Sequence, residues 1–229
     1  MAPWLWSAPS VVVDEATEAA FTAAFAGRDA SRLPAGVPRW VFLEWLVRRG
    51  WLLHGSNEAG ITRFEPRAPY DASVDDFSKR AAVFAASDGV WALMYALRDR
   101  ARVRGMLNAA MQLWEGERWS GMRYFLSLAP REGGVTDGRA LLRAGSVYVL
   151  PAGGFERMPP YAWPGVGEVL EPHWANPEPV RPVWCVRVSA VDFPLPPRSH
   201  DADRVARLSR RDPWGFPWLD ADDAPVQEA

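Results

Sequence analysis

The residues best suited to chemistry in this chain close one short apolar run, Trp51-Leu52-Leu53-His54-Gly55-Ser56-Asn57. An imidazole can donate and accept a hydrogen bond, a hydroxyl does the same, and a glycine between them lets a ligand come close to the backbone. That composition suits binding; a core histidine followed by a turn is the plain alternative. Further pieces follow in order: Val83-Phe84-Ala85-Ala86 running into a helical pattern, Ser146-Val147-Tyr148-Val149-Leu150-Pro151, Gly153-Gly154-Phe155-Glu156, and Pro179-Val180-Arg181-Pro182-Val183. Other chemistries lack a pattern. His54, His173 and His200 are the only histidines and no acids cluster at ligand spacing, so no metal site is indicated. Gly153-Gly154 lacks the spacing and following helix of a phosphate loop, and Ser56 beside His54 is not a nucleophile elbow.

For His54 and Ser56 to reach a sheet edge, the run that carries them must be a strand. Gly50 closes the helical pattern before it and Gly55 breaks the new one, which reads as a buried strand. Upstream, Val11-Val12-Val13 is long enough for a short strand, and Asp14 is a good N-cap for a helix from Glu15 to Ala26 with Phe21 and Phe25 four apart. A second helix, Arg39 to Arg49, gathers Val41, Phe42, Trp45 and Leu46 on one face. Downstream, Ile61 to Arg67 reads as extended, and Pro69 to Lys79 as a polar loop able to lie over a site. Ala81 to Ala86 is a second buried strand, with Ser87 or Asp88 capping a helix whose Trp91, Met94, Tyr95 and Arg98 share a face.

Residues 99–121 give a basic patch at Arg100, Arg102 and Arg104 and an acidic one at Glu115 and Glu117, read as solvated surface. Tyr124 to Leu128 and Ser146 to Leu150 alternate like strands around a Gly-rich loop. Pro151 to Pro182 reads as a long functional loop or lid, and Val183 to Val188 as a last strand. A basic helix at Asp201 to Arg211 leads into a tail expected to pack through Trp214, Phe216 and Trp218.

With 229 residues, 48% of them hydrophobic, the chain can bury a large core. A formal net charge of -2 gives no electrostatic argument for nucleic acid or an anionic membrane as the default partner. Cys185 is the only cysteine, which excludes an intramolecular disulfide and a cysteine zinc cage and favours the cytosol. No apolar run reaches the length of a membrane span, so no membrane partner is expected. The thirteen tryptophans are read as core and lid packing.

The ordered pieces resemble the ADP-ribosyltransferase superfamily of the His-Tyr-Glu type. They are most similar to the small bacterial rifampin ADP-ribosyltransferases and, more distantly, to the catalytic domain of poly(ADP-ribose) polymerases. The resemblance covers roughly residues 50–195. It implies an α+β fold built on a split antiparallel β-sandwich, with an N-terminal arm and helices over 1–50, a catalytic domain over 51–195 and a C-terminal tail over 196–229.

The same resemblance implies NAD as the substrate cofactor. His54 would hydrogen-bond the adenine-side ribose, Gly55 would hold the nicotinamide carboxamide through its backbone, and Ser56 would lie beside them. Phe84 would stack on the nicotinamide ring where the family usually has tyrosine, keeping the stacking face and losing the hydroxyl. Glu156 is the best candidate for the family acid, with Asp192 and Glu178 next. The chemistry asks for such an acid on its own account, because breaking the nicotinamide–ribose bond builds an oxocarbenium-like sugar that a carboxylate stabilises in the transition state. The ordinary alternatives are a structural histidine, a core Phe84 and a surface Glu156 paired with Arg157. The expected activity is mono-ADP-ribosyl transfer from NAD to an acceptor, whether small molecule, protein or nucleic acid. A degenerate binding module of the same fold, or an NAD glycohydrolase, stands as the alternative.

Overall fold

The computed structural model describes residues 2–7, 9–68 and 75–219, so half of the expected polar loop at 69–79 lies outside the described residues. Asp14 starts the first helix by accepting the Thr17 amide at 2.8 Å, as a good N-cap does. That helix, α1 (Glu15–Gly27), packs Phe21 and Phe25 onto Trp45 of α2 (Arg39–Val47). Pro38 cannot cap α2 with a side chain, and Asp192, far along the chain, instead accepts the Arg39 amide at 2.9 Å. Val11 to Val13 form no strand, and Val12 is 95% exposed because no neighbouring strand pairs with it.

Next come β1 (Leu52–Ser56), β2 (Val83–Ala86) and α3 (Gly89–Leu97), the last capped by Asp88, which accepts the Trp91 amide at 2.7 Å. Then follow β3 (Val103–Leu113), β4 (Arg123–Pro130) and β5 (Gly145–Leu150). The eleven residues of β3 fall where a solvated surface was expected. Gly105, Asn108, Ala109 and Ala110 are poor strand formers, and pairing with β4 along nearly its whole length overrides their preference.

The expected long loop is instead four short strands, β6 (Glu156–Arg157), β7 (Tyr161–Trp163), β8 (Gly167–Leu170) and β9 (His173–Asn176). Prolines at 159, 160, 164, 172 and 177 separate them, which hid the alternation inside each. The chain closes with β10 (Trp184–Val188), β11 (Arg198–Ser199) and α4 (Ala202–Arg211).

The strands make two sheets in an α+β arrangement. One runs β10-β5-β1-β2-β9-β6 with every neighbouring pair antiparallel, and the other runs β11-β4-β3-β8-β7 with only β11 and β4 parallel. Helix α3 lies between them, buried at every residue except Tyr95. A Cβ on Gly55 would stand 2.0 Å from the Ala92 carbonyl oxygen, and one on Gly145 would stand 1.9 Å from that of Ala96. Two glycines on neighbouring strands thus let the helix backbone rest directly on the sheet.

The main core gathers α1, α2 and α3 with the inner faces of both sheets. A second cluster covers the other face of the first sheet with Leu52, Phe64, Tyr148 and Val180. The outer face of the second sheet is covered from both directions: Trp4 contacts Phe125, Trp163 and Phe216. Among the described residues no helix is long and apolar enough to cross a membrane.

Candidate functional site

β1 and β2 meet in a ladder of one residue pair, Leu53 opposite Ala86. Beyond it the His54 side chain takes over the connection, with Nδ1 lying 2.7 Å from the Phe84 carbonyl oxygen. A carbonyl only accepts, so Nδ1 carries the proton and Nε2 keeps its lone pair. Burial holds the imidazole pKa below its ordinary value, so the ring is neutral. His54 therefore presents an acceptor at Nε2, suited to a hydroxyl O–H. Its ring lies on the sheet face shared with Phe64, 4.4 Å between centroids, and with its strand partner Tyr148.

Phe84 projects to the opposite face, beneath α3. Its ring meets His173 of β9 at 4.9 Å, and His173 in turn meets Trp91 at 5.2 Å and Phe77 at 5.4 Å, with its Nδ1 3.4 Å from Ser78 Oγ. Trp91 is fixed by its Nε1–H donating to Asn108 Oδ1 at 2.6 Å. The half-buried Phe84 ring thus belongs to an aromatic group drawn from three elements and the loop before β2.

Register places Glu156 with Phe84. Phe84 stands opposite Ala175 and Ala175 opposite Glu156, so all three side chains leave the same face, with Glu156 two strand spacings or about 10 Å from Phe84. A turn closed by the Phe155 amide on the Ala152 carbonyl at 3.2 Å delivers Glu156 to this edge. Its carboxylate is exposed and accepts from Arg80 Nη1 at 2.7 Å, and the Arg80 guanidinium lies over Phe77 at 4.0 Å. Arg157, the partner in the alternative surface reading of Glu156, points the other way, toward Trp174.

The remaining predicted positions are structural in their contacts. Gly55 has its open side filled by α3. Ser56 is buried, and its Oγ accepts the Glu58 amide at 3.1 Å. Asp192 is consumed by backbone, taking the Ser189 amide at 2.8 Å as well as that of Arg39. Glu178 is exposed. The structure therefore brings Phe84 and Glu156 to one face and His54 to the other, joined through the Phe84 peptide. His173, Trp91, Phe77 and Arg80 were missed as site residues. The signal for His173 was present, since His-Trp-Ala-Asn bounded by Pro172 and Pro177 is one short strand.

Behind the aromatic group lies an acid pair, Asp88 buried and Glu44 partly buried. Glu44 of α2 accepts the Gly89 amide at 2.6 Å, and Asp88 accepts the Tyr124 hydroxyl at 2.6 Å. Burial, then the neighbouring Asp88, pushes the Glu44 carboxyl up to about 8. Burial also raises Asp88, to about 6. Two distinct clefts, one between the chain near Ser10 and α2 and one beside β10, are lined by other residues and touch neither His54, Phe84 nor Glu156. No protein-family model, curated protein or solved structure matches this chain.

Proposed function

We propose that the protein cleaves NAD at the nicotinamide–ribose bond and transfers the ADP-ribosyl group to an acceptor. The observation that carries this reading is the interrupted β1–β2 junction, where a neutral histidine with a fixed tautomer holds the Phe84 peptide and the half-buried Phe84 ring shares its sheet face with the Glu156 carboxylate two strands away.

In this reading His54, neutral as burial enforces, acts from the opposite face by donating Nδ1–H to the Phe84 carbonyl, which fixes the peptide that carries the stacking ring. The flat nicotinamide ring stacks on Phe84, with His173 and Trp91 limiting where it can sit. The nicotinamide–ribose bond opens with its electron pair leaving on the nicotinamide nitrogen, and the sugar acquires oxocarbenium character. Glu156, freed from Arg80 by the incoming substrate, stabilises that charge, a contact of a kind commonly worth about 10²–10³ in rate. A nucleophile on the acceptor then forms the new bond at the anomeric carbon and gives up its proton. The Arg80–Glu156 ion pair also supports a second reading, a module that holds NAD without opening it, because there the carboxylate stays neutralised.

Nicotinamide release from NAD by the purified protein, with cell lysate as acceptor source, separates these readings when run beside His54→Ala, Glu156→Gln and a thermal-shift titration with NAD. The transferase reading predicts release that both folded variants lose by 100-fold or more. Stabilisation by NAD without release selects the module, and neither effect removes NAD from the account.

A further inference from the structure

We infer that the cleft beside β10 binds a small organic anion, an oxyanion such as a phosphate or carboxylate carried on an apolar body. The cleft has a volume of about 580 Å³ and lies between the chain before α2 and the end of β10. Two arginines line it, Arg39 at the start of α2 and Arg187 on β10.

Arg39 is half-buried, and its Nη1 is enclosed without a hydrogen-bond partner among the described residues. That nitrogen is closed off from the cleft, but no carboxylate lies within ion-pairing distance of the guanidinium among the described residues, so an anionic oxygen is the group its remaining N–H groups would take best. Arg187 is exposed and has no carboxylate within ion-pairing distance among the described residues.

The single carboxylate in the lining, Asp192, offsets only one of them. Its Oδ1 accepts the Arg39 amide at 2.9 Å, and its Oδ2 accepts the Ser189 amide at 2.8 Å and hydroxyl at 3.2 Å. These bonds hold the start of α2 and the turn after β10, and with two arginines against one carboxylate the lining keeps one net positive charge. Apart from Ser189 the rest of the lining is apolar, with Val37, Pro38 and an 82% exposed Val191. Such a wall gains by covering a hydrocarbon or ring, while the guanidinium forks take a planar or tetrahedral oxyanion in paired hydrogen bonds. This site is separate from the His54 and Phe84 positions and does not depend on the NAD reading.

Calorimetric titration of the full chain with phenyl phosphate, benzoate and inorganic phosphate tests the inference, with Arg39→Gln, Arg187→Gln and Val191→Asp as variants. Arg118→Gln, on a distant exposed loop, controls for net charge. Each variant's fold is checked by its thermal midpoint. The expected result is saturable binding of phenyl phosphate or benzoate, at least tenfold tighter than inorganic phosphate, weakened tenfold or more by each cleft variant and unchanged by Arg118→Gln. Phenyl phosphate preferred over benzoate identifies the oxyanion as phosphate, and the reverse as carboxylate. The inference is overturned if no aromatic anion binds at millimolar concentration, if inorganic phosphate binds equally well, or if folded cleft variants bind as the wild type does.

Discussion

Glu44 makes the stability of this fold depend on pH in an unusual direction. Its carboxyl is partly buried between α2 and the first turn of α3, accepts the Gly89 amide and faces Asp88, and it is raised from an ordinary 4.5 to about 8. The folded state therefore binds a proton that the unfolded chain has released. Such a contribution is complete below the unfolded pKa and is lost as pH rises through the folded one. A shift of that size corresponds to about 5 kcal/mol across the window from roughly pH 4.5 to 8. Asp88, raised from 3.8 to about 6, acts in the same direction in the lower part of that window.

Against a total stability of about 5–15 kcal/mol this is a large share. The wild type should lose stability steadily from pH 5 to pH 8.5, with its thermal midpoint falling by about 10 °C or more. Glu44→Gln keeps an oxygen for the Gly89 amide and removes the titration, so its profile should be flatter by several kcal/mol. Urea unfolding at half-unit pH steps measures both curves. Parallel profiles for wild type and Glu44→Gln would refute the reasoning, because they would mean that the carboxyl reaches solvent or a counter-charge when ionised.

Two further outcomes follow from the packing around α3. Gly55→Ala places a methyl 2.0 Å from the Ala92 carbonyl oxygen and should destabilise by at least about 3 kcal/mol, whereas Gly121→Ala, with open space around it, should stay within about 0.5 kcal/mol in the same urea assay. Tyr124→Phe removes the hydroxyl that Asp88 accepts at 2.6 Å and should cost about 1–3 kcal/mol. That loss should be larger at pH 8 than at pH 5, since the hydroxyl favours the ionised carboxyl.

What the sequence made legible was local. Asp14 and Asp88 announced their helices, Gly50 and the apolar run announced β1, and the alternation of Val147 and Val149 with Tyr148 announced β5. These depend on neighbours along the chain, where propensity and capping act. β3 and β6 to β9 were hidden because cross-strand pairing rather than local preference holds them, and Gly105, Asn108 and the intervening prolines speak against strand when read alone. The candidate site shows the same division. His54, Phe84 and Glu156 were selected by type and order, but the Nδ1 bond to the Phe84 carbonyl, the Arg80 partner and the His173 contact all cross between strands or loops. Pairing register decided them, and one sequence does not display register.

The seating of α3 on Gly55 and Gly145 bears on how this chain can drift over generations. Backbone rests on backbone there, so neither position admits any other residue without moving the helix. The middle residue of His-Gly-Ser is thus under purifying selection from architecture alone, whatever the fate of the imidazole and the carboxylate. A descendant free to vary elsewhere would still carry Gly55, whereas under the proposed transfer activity drift at Phe84 or Glu156 would record its loss.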